Sequence, residues 1–129
     1  MAKQLNILLG NLGVPDNLII IDPTVSGIGY GIEYSYSVIE RLRLAALMGD
    51  GMTQQPMICT VGEEAWRQKE ARVDEGVPDA WGRLATRGVV WEVLTAITLV
   101  GGGADIVVLR HPRSMGLVQR AIADLMKGA

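Results

Sequence analysis

Residues 18–50 decide the fold, and they read LIIIDPTVSGIGYGIEYSYSVIERLRLAALMGD. The stretch opens with an apolar run at 18–21, which stops at Asp22 and Pro23. A run without polar alternation is typical of a strand buried on both faces, as in a parallel sheet covered by helices. A glycine-containing loop and then an amphipathic helix follow. We therefore predict a strand, a loop at its carboxyl end where α/β proteins build sites, and a crossover helix.

The same alternation continues along the rest of the chain. Residues 57–60 and 106–109 are two further short apolar segments, and helical patterns lie before, between and after the strands. The predicted order is α-β-α-β-α-α-β-α. This order predicts a parallel sheet with right-handed crossovers, in a single α/β domain over residues 1–129.

Capping motifs and apolar spacing mark the predicted helices. Ser37 and Glu40 fit a capping box, although the helix is allowed to begin a few residues earlier, and Thr60 and Glu63 fit a second one. A longer helix is predicted over about residues 88–100, ended by three glycines. Its predicted apolar face consists of Val90, Leu94 and Ile97, with Trp91 on the same side as Leu94.

Composition limits the classes of function. The chain has 129 residues, a hydrophobic content of 49% and a mean hydropathy of +0.25, which fits a sheet covered on both faces or a large partner interface. Its net charge of −2 offers no basic field for nucleic acid or an anionic membrane. No unbroken apolar run approaches the roughly 20 residues of a transmembrane helix, and the first residues lack a signal-peptide pattern. We therefore expect a cytoplasmic protein that binds neither nucleic acid nor membrane.

The chain has one cysteine, Cys59, and one histidine, His111. One thiol makes no internal disulfide and holds no iron–sulfur cluster, which needs about four thiolates. A zinc site of cysteine and histidine ligands needs more than these two residues. We therefore expect no metal site, and we expect Cys59 to be a buried small hydrophobe.

The loop after the first predicted strand is the first candidate site. Asp22, Thr24, Gly27 and Gly29 follow that strand, and small residues let a large flat ligand approach the backbone. In the alternative interpretation, Asp22 caps local amides and the glycines only turn the chain. Both interpretations remain open from the sequence.

The other two candidate sites follow the second and third strands. Thr60 and Gly62 lie at a helix N-terminus, which receives anionic or carbonyl groups, unless Thr60 and Glu63 only satisfy each other's amides. Arg110 and Arg113, with His111 between them as a further candidate, are placed to hold a phosphate. The alternative is an arginine paired with a carboxylate such as Asp105. We assign no catalytic residue, because the sequence shows no orienting partner for His111.

Several motifs resemble one family. They are IIIDPT at 19–24, GIGYGIEYSYS at 27–37, ERLRLAALMGD at 40–50 and PMICTVGEEAWRQKEARV at 56–73, followed by a similar region over 88–126. Together they resemble the delta (small) subunit of the corrinoid iron–sulfur protein of the CO dehydrogenase/acetyl-CoA synthase system. The resemblance covers nearly the whole chain, but only the C-terminal part of the family's subunit.

The resemblance implies a fold and a role. The fold is the last three units of a (β/α)8 TIM barrel, a partial barrel. The family's protein carries a methyl group on a corrinoid (cobalamin), from a methyl-tetrahydrofolate or pterin methyltransferase to acetyl-CoA synthase. The large subunit holds the iron–sulfur cluster and most corrinoid contacts, so this chain would be a non-catalytic wall of the shared site. Arg110 would then hold a phosphate or a propionamide of the corrinoid.

Two other functions remain open. One is a fragment of a pterin-binding methyltransferase barrel, for which Asp22 is the only candidate ligand. The other is a cofactor-free interaction domain that self-associates. Self-association is also expected for the isolated chain under the first hypothesis, because three strands leave two edges of a parallel sheet open.

Overall fold

The computed structural model describes residues 1–128, and it has the predicted order of helices and strands except that a single bridge stands in place of the first strand. The helices are α1 Ala2–Asn11, α2 Ile32–Leu47, α3 Val61–Arg67, α4 Lys69–Arg72, α5 Leu84–Gly102 and α6 Pro112–Lys127. The strands are β1 Ile58–Cys59 and β2 Ile106–Val107. Three short 3-10 helices lie at Asp16–Leu18, Gly51–Thr53 and Asp79–Trp81. The chain is therefore an α/β protein.

The strands are parallel but shorter than predicted. β1 pairs with β2 in the register Ile58 with Ile106, and Ile21 adds a single parallel bridge to Met57. The predicted strand at 18–22 is thus wrong in extent. The amide of Leu18 donates to the carbonyl of Pro15 (2.9 Å), so a local 3-10 turn takes the start of the run before it reaches the sheet.

Helices cover only one face of this sheet. Ile21, Met57 and Cys59 are buried in one core with apolar residues of α2, α3, α5 and α6. On the opposite face Ile20 is 54% exposed, and Val108 is 44% exposed. The predicted burial on both faces therefore holds for one face alone, and the described chain leaves an apolar sheet surface uncovered.

The core is organised around α5, which packs against α2, α3, α4 and α6. The apolar face predicted for this helix is wrong in part, because Val90 and Leu94 are 43% and 49% exposed. Trp91 and Ile97 do pack against the core. The helix is apolar on almost every side, so spacing alone does not decide which side packs. Its buried residues are Arg87, Gly88, Val89, Glu92, Val93, Thr95, Ala96, Leu99 and Gly102.

The length of α5 also exceeds the prediction. It begins at Leu84 and ends at Gly102, and the C-cap Gly103 has a φ of +115°, the left-handed conformation expected of a glycine. It is long and apolar enough to cross a membrane by length and composition alone, a test that a buried core helix also passes. Within this fold, 44% of its most apolar window is buried.

Both predicted capping boxes are wrong. α2 begins at Ile32 after Gly31, so Ser37 lies inside the helix, as the allowance for an earlier start anticipated. Thr60 is the N-cap of α3, but its side chain makes no capping hydrogen bond. Glu63 pairs instead with Arg67. The single polar helix predicted after Thr60 is divided into two. Gln68 has an extended backbone, with a ψ of 147°, and separates α3 from α4.

Candidate functional site

Three connections leave the carboxyl ends of the parallel segments at one edge of the sheet. Loop 1 (residues 22–31) follows the bridge at Ile21, and loop 3 (residues 108–111) follows β2. Loop 2 follows β1 and consists of Thr60 with the first two residues of α3, Val61 and Gly62. These loops contain all eight residues predicted as site residues. In α/β folds this edge is where ligands bind.

Loop 1 begins with a tight turn. The Oδ1 atom of Asp22 accepts the amide of Thr24 at 2.9 Å, which is the local capping of the alternative interpretation. Thr24 has a φ of +63° and is the one non-glycine residue within 1–128 in the left-handed region. Its carbonyl accepts the hydroxyl of Ser35 (3.1 Å), and this hydroxyl accepts the amide of Ser26 (2.9 Å). These bonds hold a backbone conformation that a β-branched residue rarely adopts.

The rest of loop 1 contacts α4 and its N-cap residue, Gln68. Gly27 is buried, and a Cβ atom there would lie 3.4 Å from Cγ of Gln68. The hydroxyl of Tyr30 donates to the carboxylate of Glu70, at 3.0 and 3.1 Å from its two oxygens. Burial and this carboxylate raise the pKa of Tyr30 above its ordinary value. Gly29, with a φ of +78° and no neighbour close to its Cβ position, remains the accessible glycine of the loop.

Loops 2 and 3 touch each other. The amide of Gly62 donates to the carbonyl of Val108 at 2.8 Å. A Cβ atom on Gly62 would lie 2.7 Å from the amide nitrogen of Arg110, so only glycine fits at this crossing. Thr60 is half-buried beside them. Gly62 therefore contributes close packing between the loops, and its buried backbone is not offered to a ligand.

A buried carboxylate on α5 holds the backbone of loop 3 in place. Glu92 is fully buried, and its side chain accepts the backbone amides of Arg110 (2.5 Å) and His111 (3.2 Å). Charge-assisted bonds of this kind are stronger than neutral ones. Sequence reasoning missed Glu92. The available signal was a lone acid among the apolar residues 89–97 of a core helix.

His111 is oriented by its neighbours in two ways. Its Nδ1 atom accepts the amide of Arg113 at 3.1 Å, which makes it the N-cap of α6. Its ring stacks on Trp66, with ring centroids 5.9 Å apart and an interplanar angle of 19°. Since Nδ1 accepts a hydrogen bond, the neutral ring carries its proton on Nε2. The orienting groups are thus an aromatic ring and a backbone amide, without the carboxylate of a catalytic triad.

Four of the eight predicted site residues line a cavity, and these four divide between two cavities. Asp22 and Thr24 line a cavity of about 250 Å³ with residues of α1 and α2. Arg110 and His111 line another of about 430 Å³, beside Trp66 and Arg72. The carboxylate of Asp105 pairs with Arg43, so the predicted alternative pairing of Arg110 with Asp105 is wrong.

Cys59 behaves as predicted. It is fully buried within the sheet, and its thiol is free. Burial, with smaller effects of Asp22 and Asp105, raises its pKa to about 11. Within residues 1–128, no three side chains of the histidine, cysteine, aspartate or glutamate types come together in a way that would hold a metal ion.

Comparison with known proteins identifies the family. Residues 1–119 match the family model described as the CO dehydrogenase/acetyl-CoA synthase delta subunit. The chain belongs to this family. The subunit delta of the acetyl-CoA decarbonylase/synthase complex from Methanosarcina mazei is 37% identical over 128 residues, covering 95% of this chain and 29% of the relative.

Other delta subunits of that complex agree. The one from Methanopyrus kandleri is 38% identical over 128 residues, covering 99% of this chain and 31% of the relative. The one from Methanothermobacter thermautotrophicus is 41% identical over 119 residues, covering 92% and 30%. The chain therefore spans less than a third of the length of these relatives.

Proposed function

We propose that this chain is part of the wall of a corrinoid site in a methyl-carrying protein. In this role it packs against a large subunit that holds an iron–sulfur cluster and most contacts to the corrinoid. The methyl group arrives from a methyl-tetrahydrofolate or pterin methyltransferase and leaves to acetyl-CoA synthase, both of which bind transiently. The delta-subunit family supports this role, and the proposed location is cytoplasmic.

The observation that carries the proposal is the half-covered sheet. Ile20 and Val108 expose an apolar face at the sheet, while the three loops leave one of its edges together. Apolar surface of this kind is removed from water in a larger assembly. We propose that the parallel units are the last three of a TIM barrel, in which the uncovered face points to the barrel interior.

The residues of the loop edge fit the rim of a corrinoid. Arg110 and the Nε2–H group of His111 are donors that suit the amide oxygens and the phosphate of such a cofactor. Gly29 offers open backbone for a flat ring system. When bound, the cobalt of the corrinoid supplies the methyl-transfer chemistry, and the protein supplies binding, orientation and exclusion of water.

The test is the absorbance of cobalamin mixed with this chain, with and without a large subunit of the family. A spectral shift that needs both proteins supports the proposal. Arg110→Gln should weaken that shift, whereas the matched variant Arg120→Gln, on the exposed surface of α6, should leave it unchanged. An unshifted spectrum in the assembled pair contradicts the corrinoid role.

A cofactor-free, self-associating interaction domain is the second candidate, and the same exposed sheet face favours it. This candidate would be supported over the corrinoid role by a stable oligomer that keeps its mass when cobalamin and the large subunit are added. Such an oligomer should also leave the absorbance of cobalamin unchanged. The pterin-binding alternative depended on Asp22, whose carboxylate is engaged by the amide of Thr24. Saturable binding of methyl-tetrahydrofolate to this chain alone would revive it.

A further inference from the structure

The cavity beside loop 3, which contains Arg110 and His111 of the proposed corrinoid rim, has the features of a binding site. It has a volume of about 430 Å³ and lies between the end of α4, the start of α5 and loop 3. Its lining residues are Trp66, Ala71, Arg72, Leu84, Ala85, Arg110 and His111. The lining thus brings two arginines from distant parts of the chain to one space and includes no acidic side chain.

Both arginines are available to a ligand. Arg72, the last residue of α4, and Arg110 are exposed, and within residues 1–128 neither side chain forms an ion pair. Unpaired guanidinium groups facing one cavity attract oxyanions, because their planar fork of donors matches carboxylate and phosphate oxygens.

Four acids of the neighbouring elements are already engaged. Glu92 lies behind loop 3 and accepts two backbone amides, and Glu70 faces Tyr30. Glu63 and Glu64 both pair with Arg67. These four carboxylates are occupied by other donors. Asp74, two residues after Arg72, lies 3.9 Å from a guanidinium nitrogen of Arg87.

The remaining polar wall also donates. The Nδ1 atom of His111 accepts the amide of Arg113, so its free Nε2 atom carries a proton. The ring is held flat against Trp66, which makes a rigid aromatic side of the cavity. A site with several donors, no acceptor side chain and one flat wall selects an anionic group attached to a small organic molecule.

We propose that this cavity binds an oxyanion, either the phosphate of an ester or the carboxylate of a small acid, between Arg72 and Arg110. The proposal stands on the cavity and its donors, and it does not depend on the corrinoid role. The anion belongs either to a free metabolite or to the phosphodiester of a cobalamin brought by a partner.

The test uses the full chain and inorganic phosphate at constant ionic strength, adjusted with sodium chloride. The readout is the NMR resonance of the Trp66 indole N–H group, assigned with Trp66→Phe. We expect a saturable shift of this resonance in the native chain. Arg72→Met combined with Arg110→Met should weaken phosphate binding at least about tenfold, since each guanidinium contributes charge-assisted hydrogen bonds.

The controls separate this site from general charge effects. Arg41→Met removes an exposed arginine of α2 that does not line the cavity, and it should leave the affinity unchanged. Arg72→Met alone removes an exposed side chain, so it supplies the result if the double variant does not fold. Phosphate affinity that stays within about twofold in the cavity variants, or the absence of a saturable shift in the native chain, overturns the proposal.

Two further ligands identify the source of the anion. Succinate in place of phosphate distinguishes a carboxylate site from a phosphate site. Cobalamin and cobinamide, which lacks the phosphodiester, are then compared in the assembly with the large subunit. If phosphate competes with cobalamin but not with cobinamide, the site belongs to the corrinoid. If neither cobalamin nor cobinamide affects phosphate binding, the site belongs to a free metabolite.

Discussion

At the scale of single residues, Glu92 shows how a buried charge shapes the loop edge. Its carboxylate is fully buried and holds the amides of Arg110 and His111. An apolar residue at this position would leave two backbone donors without partners. The side chain therefore fixes the position of two predicted site residues without itself lining their cavity.

Glu92→Gln should destabilise the fold. The amide side chain keeps one acceptor but turns an N–H group toward a backbone N–H, so one donor loses its partner. We expect a loss of about 2–3 kcal/mol in the free energy of unfolding. Glu40→Gln, at an exposed position of α2, is the matched control and should change it by less than about 0.5 kcal/mol. Urea denaturation measures both, and equal effects would contradict the role of Glu92.

Cys59 should give stability a dependence on alkaline pH. Its pKa is about 11 in the fold against an ordinary 9.0, so the unfolded chain loses its proton first. The protonated thiol therefore contributes to the free energy of unfolding. This contribution is complete below about pH 9 and is lost as the pH rises toward 11. Denaturation at pH 8 and pH 10 should show a decline in stability that Cys59→Ala reduces. At pH 8 the folded thiol should also resist a thiol reagent that labels the chain in urea.

At the scale of elements, the glycines of α5 separate packing from helix propensity. A Cβ atom on Gly88 would lie 2.7 Å from the indole of Trp66, whereas one on Gly101 would meet nothing within 4 Å. Gly88→Ala should therefore cost about 1–3 kcal/mol through overpacking. Gly101→Ala should stabilise the helix by up to about 0.5 kcal/mol. Thermal unfolding measures the stability of both variants. A similar loss of stability in both would contradict the clash between a Cβ atom at Gly88 and the indole of Trp66.

Elements were predictable where a local signal was strong. The glycine stop of α5 and the alternation of helix and strand follow from residue type and order. The packing face of α5 was not predictable, since Val90 and Val93 are equally apolar and only tertiary contacts distinguish them. The first strand was overestimated because the 3-10 turn at Asp16–Leu18 competes for the same residues.

At the scale of the whole molecule, the α/β class could be predicted, but the grouping of the site could not. Placing every loop at one sheet edge follows from parallel strands. Whether distant parts of the chain share a cavity depends on tertiary packing, which brings Arg72 and Arg110 to one cavity. The stacking of Trp66 on His111 is another contact of this kind. Single-sequence periodicity carries no information about such pairs.

The uncovered sheet face makes a final prediction about association. Ile20 and Val108 present apolar surface that water disfavours, so the isolated chain should associate through this face. Sedimentation velocity should give a mass above one chain, and Ile20→Lys with Val108→Lys should shift it toward one chain. Leu47→Lys, at an exposed site of α2 away from the sheet, should not. A well-folded native chain that sediments as a single copy would show that this surface tolerates water and would remove the argument for a covering partner.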